Sequence, residues 1–162
     1  SVADAAAFAA KLSFGASSNV LCADAGGGTA ALEFSPRGLE VVRGTDTALC
    51  HTNHFLAPAA ARQEASLAPS LSTVPRLERI TTLTGAHKGK FSPADLQRML
   101  RDESDGYLSV CRRPDPSLAP EACIETVASV VMDLGQRVMH IAPNVPSQAD
   151  YLPVALGEVA RV

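Results

Sequence analysis

The sequence predicts an α+β fold whose helices and antiparallel sheets come in blocks: a helix, a meander, two helices and a second meander. Three observations predict it. Short apolar runs broken by Gly, Asp and Pro fall into two groups, one before residue 56 and one after residue 105, and short strands with close turns form antiparallel ladders. Between the groups lie two stretches with apolar residues at helical spacing. The composition is 46% hydrophobic but only 4% aromatic, without Trp, so Ala, Val and Leu fill the core, which suits layered packing of helix on sheet.

The elements follow in order. Ser1 reads as an N-cap with Asp4 at N3, and the Ala-rich segment behind it predicts a helix over 3–12. In "SSNVLCADAGGGTAALEFSP" two strands flank a turn at Asp24 to Gly28, where glycines allow the positive φ of a tight hairpin. "RGLEVVRGTDTALCHTNHF" predicts a turn at Arg37-Gly38, a strand near 39–43, a turn at Gly44 to Asp46 and a fourth strand near 47–55. Residues 56–74, rich in Ala, Ser and Pro with Leu56, Leu67 and Leu71 loosely spaced, predict a long surface loop. Leu77, Ile80 and Leu83 then share one helical face behind Pro75, and Ser92, Pro93 and Asp95 open a helix whose stripe is Leu96, Met99 and Leu100. "GYLSVCRRP", "CIETVASVVMD", "QRVMHIAPN" and "YLPVAL" predict the second meander, with a hairpin turn at Asp133 to Gly135.

At 162 residues, with no internal repeat and no linker, the chain is expected to be one domain, 1–162, or the C-terminal portion of one. Net charge is -3 and the 14 basic residues are scattered, which argues against nucleic acid as a partner. No window approaches the roughly 20 apolar residues of a membrane-spanning helix, so no membrane partner is expected. Cys22, Cys50, Cys111 and Cys123 form no CxxC pair, and reduced thiols in a cytoplasmic setting are expected.

The densest polar cluster is "ALCHTNHFLAP", where Cys50, His51, Asn53 and His54 fall within five positions. His51 and His54 would align as metal ligands on a helix, but on a strand an odd separation sends them to opposite faces. A Cys50/His51 dyad meets the same objection, because adjacent strand residues point apart. A third reading needs only Asn53, whose neutral amide can donate N–H groups to a carbonyl oxygen as negative charge develops on it. Polar residues ending a strand at the surface remain the structural alternative. Arg112 in "LSVCRRP" can orient a carboxylate through its planar fork or simply be solvated, and the pattern alone favours the solvated state. Cys111, His87 and His140 read as structural residues. Gly26 to Gly28 are explained by a hairpin without a phosphate cradle.

Taken in order, "ASSNVLCADAGGGTAALEFSP", "HTNHF", "RLERI", "FSPADLQRMLRDESDGYLSVCRRP" and "SVVMDLGQRVMHIAPNVP" resemble the C-terminal part of the acyl-coenzyme A:6-aminopenicillanic acid acyltransferase family, the C45 group of cysteine peptidases and amidohydrolases. The resemblance runs from about Ala5 to Leu156, and "TNHF" is its most specific element. It implies an N-terminal nucleophile hydrolase: an αββα sandwich whose precursor cleaves itself to expose a cysteine. The thiol then attacks an amide or thioester, with its own α-amino group as base. By position, Asn53 matches the oxyanion Asn and Arg112 the arginine that supports the active site, with Arg113 adjacent. His54 and Phe55, beside Asn53, are expected to contact substrate.

The family nucleophile opens a strand upstream of the matched segment; Ser1 caps a helix and none of the four cysteines sits at the required place. The chain is therefore expected to be the C-terminal portion of such an enzyme, inactive alone, partnered by the Cys-bearing N-terminal portion or by a second copy. It would act on a small N-acyl or amide substrate, with no cofactor and no metal. A non-catalytic binding domain that keeps the fold is the alternative. A metal-dependent hydrolase using His51, His54 and a carboxylate is a third reading.

Overall fold

Ser1 starts the first helix as expected. Its hydroxyl takes the Asp4 N–H at 3.3 Å while the Asp4 carboxylate takes the Ser1 ammonium at 3.0 Å, a capping box at the head of α1 (Val2–Ala9). The computed structural model describes residues 1–44, 48–61 and 72–157, which group into two units, Ser1–Gly85 and Ala86–Val162. α1 ends before residue 12 because Lys11 N–H and Leu12 N–H reach back only three residues, to Phe8 and Ala9, a tightened last turn.

In the first unit β1 (Ser18–Ala23), β2 (Thr29–Ser35) and β3 (Gly38–Val42) form an antiparallel sheet with β2 in the middle. Ala30, Leu32 and Phe34 project from one face of β2 and pack with Val2 and Ala9 of α1. Phe14 tilts against Phe34 with ring centroids 4.1 Å apart. The β1–β2 turn is organised by one carboxylate: Asp24 accepts the N–H groups of Gly26 at 2.9 Å and Gly28 at 3.0 Å, and that of Val2 in α1 at 2.8 Å. Gly27 sits at φ 86°, and a Cβ on Gly28 would stand 2.8 Å from the Asp24 carboxylate, so the turn requires glycine at both places.

The expected fourth strand does not form. Residues 48–57 run as an irregular segment and enter the short α2 (Pro58–Ala61); the N–H groups of Asn53, Leu56 and Ala57 go to side chains instead of to a neighbouring strand. The arguments from strand alternation about Cys50, His51 and His54 therefore lapse. Asp46, Thr47 and most of the expected loop, Leu67 and Leu71 included, lie outside the described residues. α3 (Thr73–Ala86) begins ahead of Pro75, which falls in its first turn, and Leu77, Ile80 and Leu83 are half-buried as its periodicity demands.

In the second unit Ser92 and Asp95 form the expected capping box of α4 (Pro93–Leu100), and Met99 is buried. The Ser92 hydroxyl, with Ser92 N–H and Arg98, holds the Asp95 carboxyl well below the usual carboxylate range. β4 (Ala128–Asp133), β5 (Val138–Pro143) and β6 (Leu152–Ala155) make the second three-stranded antiparallel sheet. Val131 and Ala142 are buried on one face, whereas Val130, Met132, Leu152 and Val154 on the other are 42–58% exposed.

The strand expected in "GYLSVCRRP" is absent. Gly106–Leu108 form a 3₁₀ turn with Gly106 at φ 57°, and the chain folds back on itself: Cys111 N–H reaches Asp102 O at 2.8 Å and Asp105 N–H reaches Ser109 Oγ at 2.8 Å. Residues 123–127, expected as the start of a strand, instead place Thr126 against Arg112. Among the described residues no helix is long and apolar enough to cross a membrane.

Hydrogen bonds from backbone N–H groups, Val2 first, lower the Asp24 pKa, and the direction fixes a pH dependence. A depressed carboxylate stabilises the fold above its ordinary value of about 4 and ceases to do so as pH falls through its lower folded value. Asp24→Asn is expected to lower the urea midpoint at pH 7, with the gap to the parent protein narrowing below about pH 4. A gap independent of pH would assign the effect to shape.

Candidate functional site

Glu33 lies in the central strand on the face opposite α1, 1% exposed. A buried carboxylate must be matched by donors, and the segment after residue 50 supplies three. His51 Nε2 meets Oε1 at 2.7 Å, Leu56 N–H donates to Oε1 at 2.6 Å, and Ala57 N–H donates to Oε2 at 3.0 Å. The other ring nitrogen of His51 faces the Thr52 carbonyl oxygen. Glu33 thus fastens both ends of the loop 51–57 to the middle of the sheet.

Thr73, buried at the head of α3, fastens its centre. The Thr73 hydroxyl accepts Asn53 N–H at 2.8 Å, lies 2.9 Å from His54 Nδ1 and donates to Thr52 Oγ1 at 3.0 Å; the Thr52 hydroxyl in turn donates to the Thr73 carbonyl at 2.8 Å. One turn along α3, Arg76 donates from Nη2 to Asn53 Oδ1, and its Nε donates to Ser72 Oγ at 2.9 Å. The guanidinium therefore holds the oxygen end of the exposed Asn53 amide, which sets its NH₂ end as the donor end.

Asn53, His54 and Phe55 line one cavity of about 390 Å³ together with Ser18, Asn19 and Thr52. Three of the residues expected from the sequence to form the site therefore share a pocket. Arg112 belongs to the second unit, where it leaves no apolar strand: its N–H donates to Thr126 Oγ1 at 2.9 Å and its Nε to the Tyr107 carbonyl at 2.8 Å. Arg113 goes elsewhere, to Glu103 at 2.7 Å, and that hydrogen bond holds the Glu103 carboxyl below its usual range. The two adjacent arginines are thus separated by partner.

His51 and His54 are committed to different partners, Glu33 and Thr73. Among the described residues no group of three His, Cys, Asp or Glu side chains is placed to hold a metal. Cys50 forms no dyad with His51; its sulfur lies 3.6 Å from Thr84 Oγ1. All four cysteines are free thiols, Cys111 buried. Sequence reasoning missed Glu33, Thr73 and Arg76. Two signals pointed to them: a lone carboxylate between Leu32 and Phe34 in an apolar strand, and the Ser72-Thr73 hydroxyls shortly before Pro75, a helix-start pattern.

The chain is thus α+β, built on antiparallel sheets, with an Asn amide held by its oxygen on the lining of a polar pocket. The family model for acyl-coenzyme A:6-aminopenicillanic acid acyltransferase matches residues 1–147, and the chain belongs to that family. Membership implies acyltransferase or hydrolase chemistry in general. No curated protein matches the chain.

Replacing Glu33 by Ala strands His51 and two backbone N–H groups in a dry site. A loss of about 3–5 kcal/mol is expected, the range for breaking a buried charged partnership, measured by denaturant unfolding. Glu33→Gln should lose less, because its amide oxygen still accepts while its NH₂ meets donors.

Proposed function

We propose that this chain carries the oxyanion-binding part of a cysteine N-terminal-nucleophile amidohydrolase or acyltransferase of the C45 type, with the nucleophilic Cys on a portion of the enzyme outside this chain. The observation that carries the reading is Asn53: its backbone is held by Thr73, its side-chain oxygen by Arg76, and its amide borders the pocket.

In the proposed reaction the Cys thiol gives its proton to the α-amino group of the same residue, and the sulfur attacks the substrate carbonyl carbon. The carbonyl π electrons move onto oxygen, where the Asn53 Nδ2–H groups stabilise the charge. Collapse breaks the C–N bond, the amine leaves with the proton, and a thioester remains. Water releases the acid, or an acceptor amine takes the acyl group. A fixed amide of this kind stabilises the transition state without reorganising, which is why it acts on kcat more than on KM. His54 and Phe55 contact substrate within the same pocket. Arg112 is assigned the supporting role through its bond to the Tyr107 carbonyl.

In the full-length enzyme, Asn53→Ala is expected to lower kcat about a hundredfold or more, read by single-turnover kinetics on an acyl-coenzyme A thioester or an N-acyl amine; undiminished turnover would remove Asn53 from the mechanism. Denaturing intact-mass spectrometry of the purified protein should reveal a polypeptide beginning with Cys that gains one acyl mass. A preparation without such a polypeptide would favour the non-catalytic binding domain.

A further inference from the structure

We infer that Asn19 is a further binding residue of this pocket, accepting the N–H of the substrate's scissile amide on its side-chain oxygen. The inference rests on the acyl-transfer reading above and adds a selectivity to it. Asn19 lies in β1 directly across from Glu33 in the strand register, so the two occupy the same face of the sheet, and Asn19 lines the pocket beside Asn53. Its Oδ1 is buried and has no hydrogen-bond partner among the described residues.

An acceptor removed from water and left unpaired carries its whole desolvation penalty, and such atoms in native proteins call for a specific cause. Here the cause is a ligand. The oxygen is closed off from solvent as it stands, but the terminal torsion of an Asn amide is soft, and rotation about it can turn the oxygen towards the pocket that the side chain borders. A donor arriving there relieves the penalty.

The chemistry of the substrate completes the match. A secondary amide offers one acceptor, its carbonyl oxygen, and one donor, its N–H. Asn53 presents a donor to the first, and Asn19 presents an acceptor to the second. An ester or thioester of the same acyl group has no N–H and would leave Asn19 unpaired, and a polar site discriminates most strongly against the analogue that lacks the group it binds. The pocket thereby favours amides on the cleaving side of the reaction, over and above any difference in leaving group.

The test uses the full-length enzyme and one panel of straight-chain acyl groups, acetyl to octanoyl, each presented as the p-nitroanilide and as the p-nitrophenyl ester. For Asn19→Leu, near in size but without an acceptor, the amide-to-ester ratio of kcat/KM is expected to fall about tenfold. Asn19→Asp keeps acceptor oxygens and should hold the ratio within about threefold of the parent. N-methylation of the anilide, which deletes the donor, should weaken the parent enzyme more than Asn19→Leu. If Asn19→Leu does not fold, Asn19→Ser, whose hydroxyl is too short to reach, replaces it with the same expected fall. An unchanged ratio, as a resident water on Oδ1 would give, overturns the proposal. If Asn53→Ala suppresses both substrates while the ratio in Asn19→Leu stays put, this inference fails and the acyl-transfer reading stands. If Asn53→Ala alters neither substrate, or the parent turns over none of the panel, the acyl-transfer reading fails and this inference with it.

Discussion

The architecture of the first unit turns on a buried carboxylate that the fold must satisfy. Glu33 sits in β2, held on either side by β1 and β3, with α1 packed on the opposite face. Because its oxygens are filled by His51, Leu56 and Ala57, a segment with no ladder of its own inherits the position of the central strand. Thr73 and Arg76 tie the same segment to α3. The position of the Asn53 amide on the pocket is thus set by fastenings beneath the loop.

The same device recurs in weaker forms. Asp24 gathers three backbone N–H groups, Asp95 caps α4 through Ser92, Asp115 takes Ser117 N–H at 2.9 Å, and Asp133 takes Gln136 N–H at 2.9 Å across the β4–β5 turn. Four aspartates thus serve to close turns or head a helix. Those carboxylates lie nearer the surface and, apart from the Asp24 bond to Val2, act within a turn or a cap. Glu33 differs in being buried and in taking all its donors from across 18 to 24 residues of sequence, which makes it the joint between sheet and pocket.

The parts of the fold legible in the sequence are those decided over a few residues. The capping boxes at Ser1 and Ser92, the hairpins at Asp24 and Asp133, and the face of Leu77, Ile80 and Leu83 all depend on near neighbours. The failures were long-range. Residues 48–55 read as a turn-bounded strand, yet Asn53 N–H goes to Thr73 and the N–H groups of Leu56 and Ala57 just beyond go to Glu33; "GYLSVCRRP" reads as a strand but is bent back by contacts with residues 102 to 105. Asn53 was singled out because a neutral amide in that motif can donate to a developing oxyanion, and the structure places it on the pocket. The signals for its supports were weak, because Glu33 reads as any strand carboxylate until its burial is known, and Thr73 as part of a loop until α3 is seen to start before Pro75.

The three bonds to Glu33 also determine how the site comes apart. Amide hydrogens of irregular segments ordinarily exchange with solvent through small local excursions, whereas those of a central ladder wait for a larger opening. Leu56 and Ala57 belong to the first kind by shape and to the second by attachment, since neither can exchange until a carboxylate inside the sheet releases it. The exchange of these two amides is therefore tied to the release of the Glu33 carboxylate, and protection at Leu56 and Ala57 reports on the packing of the central strand.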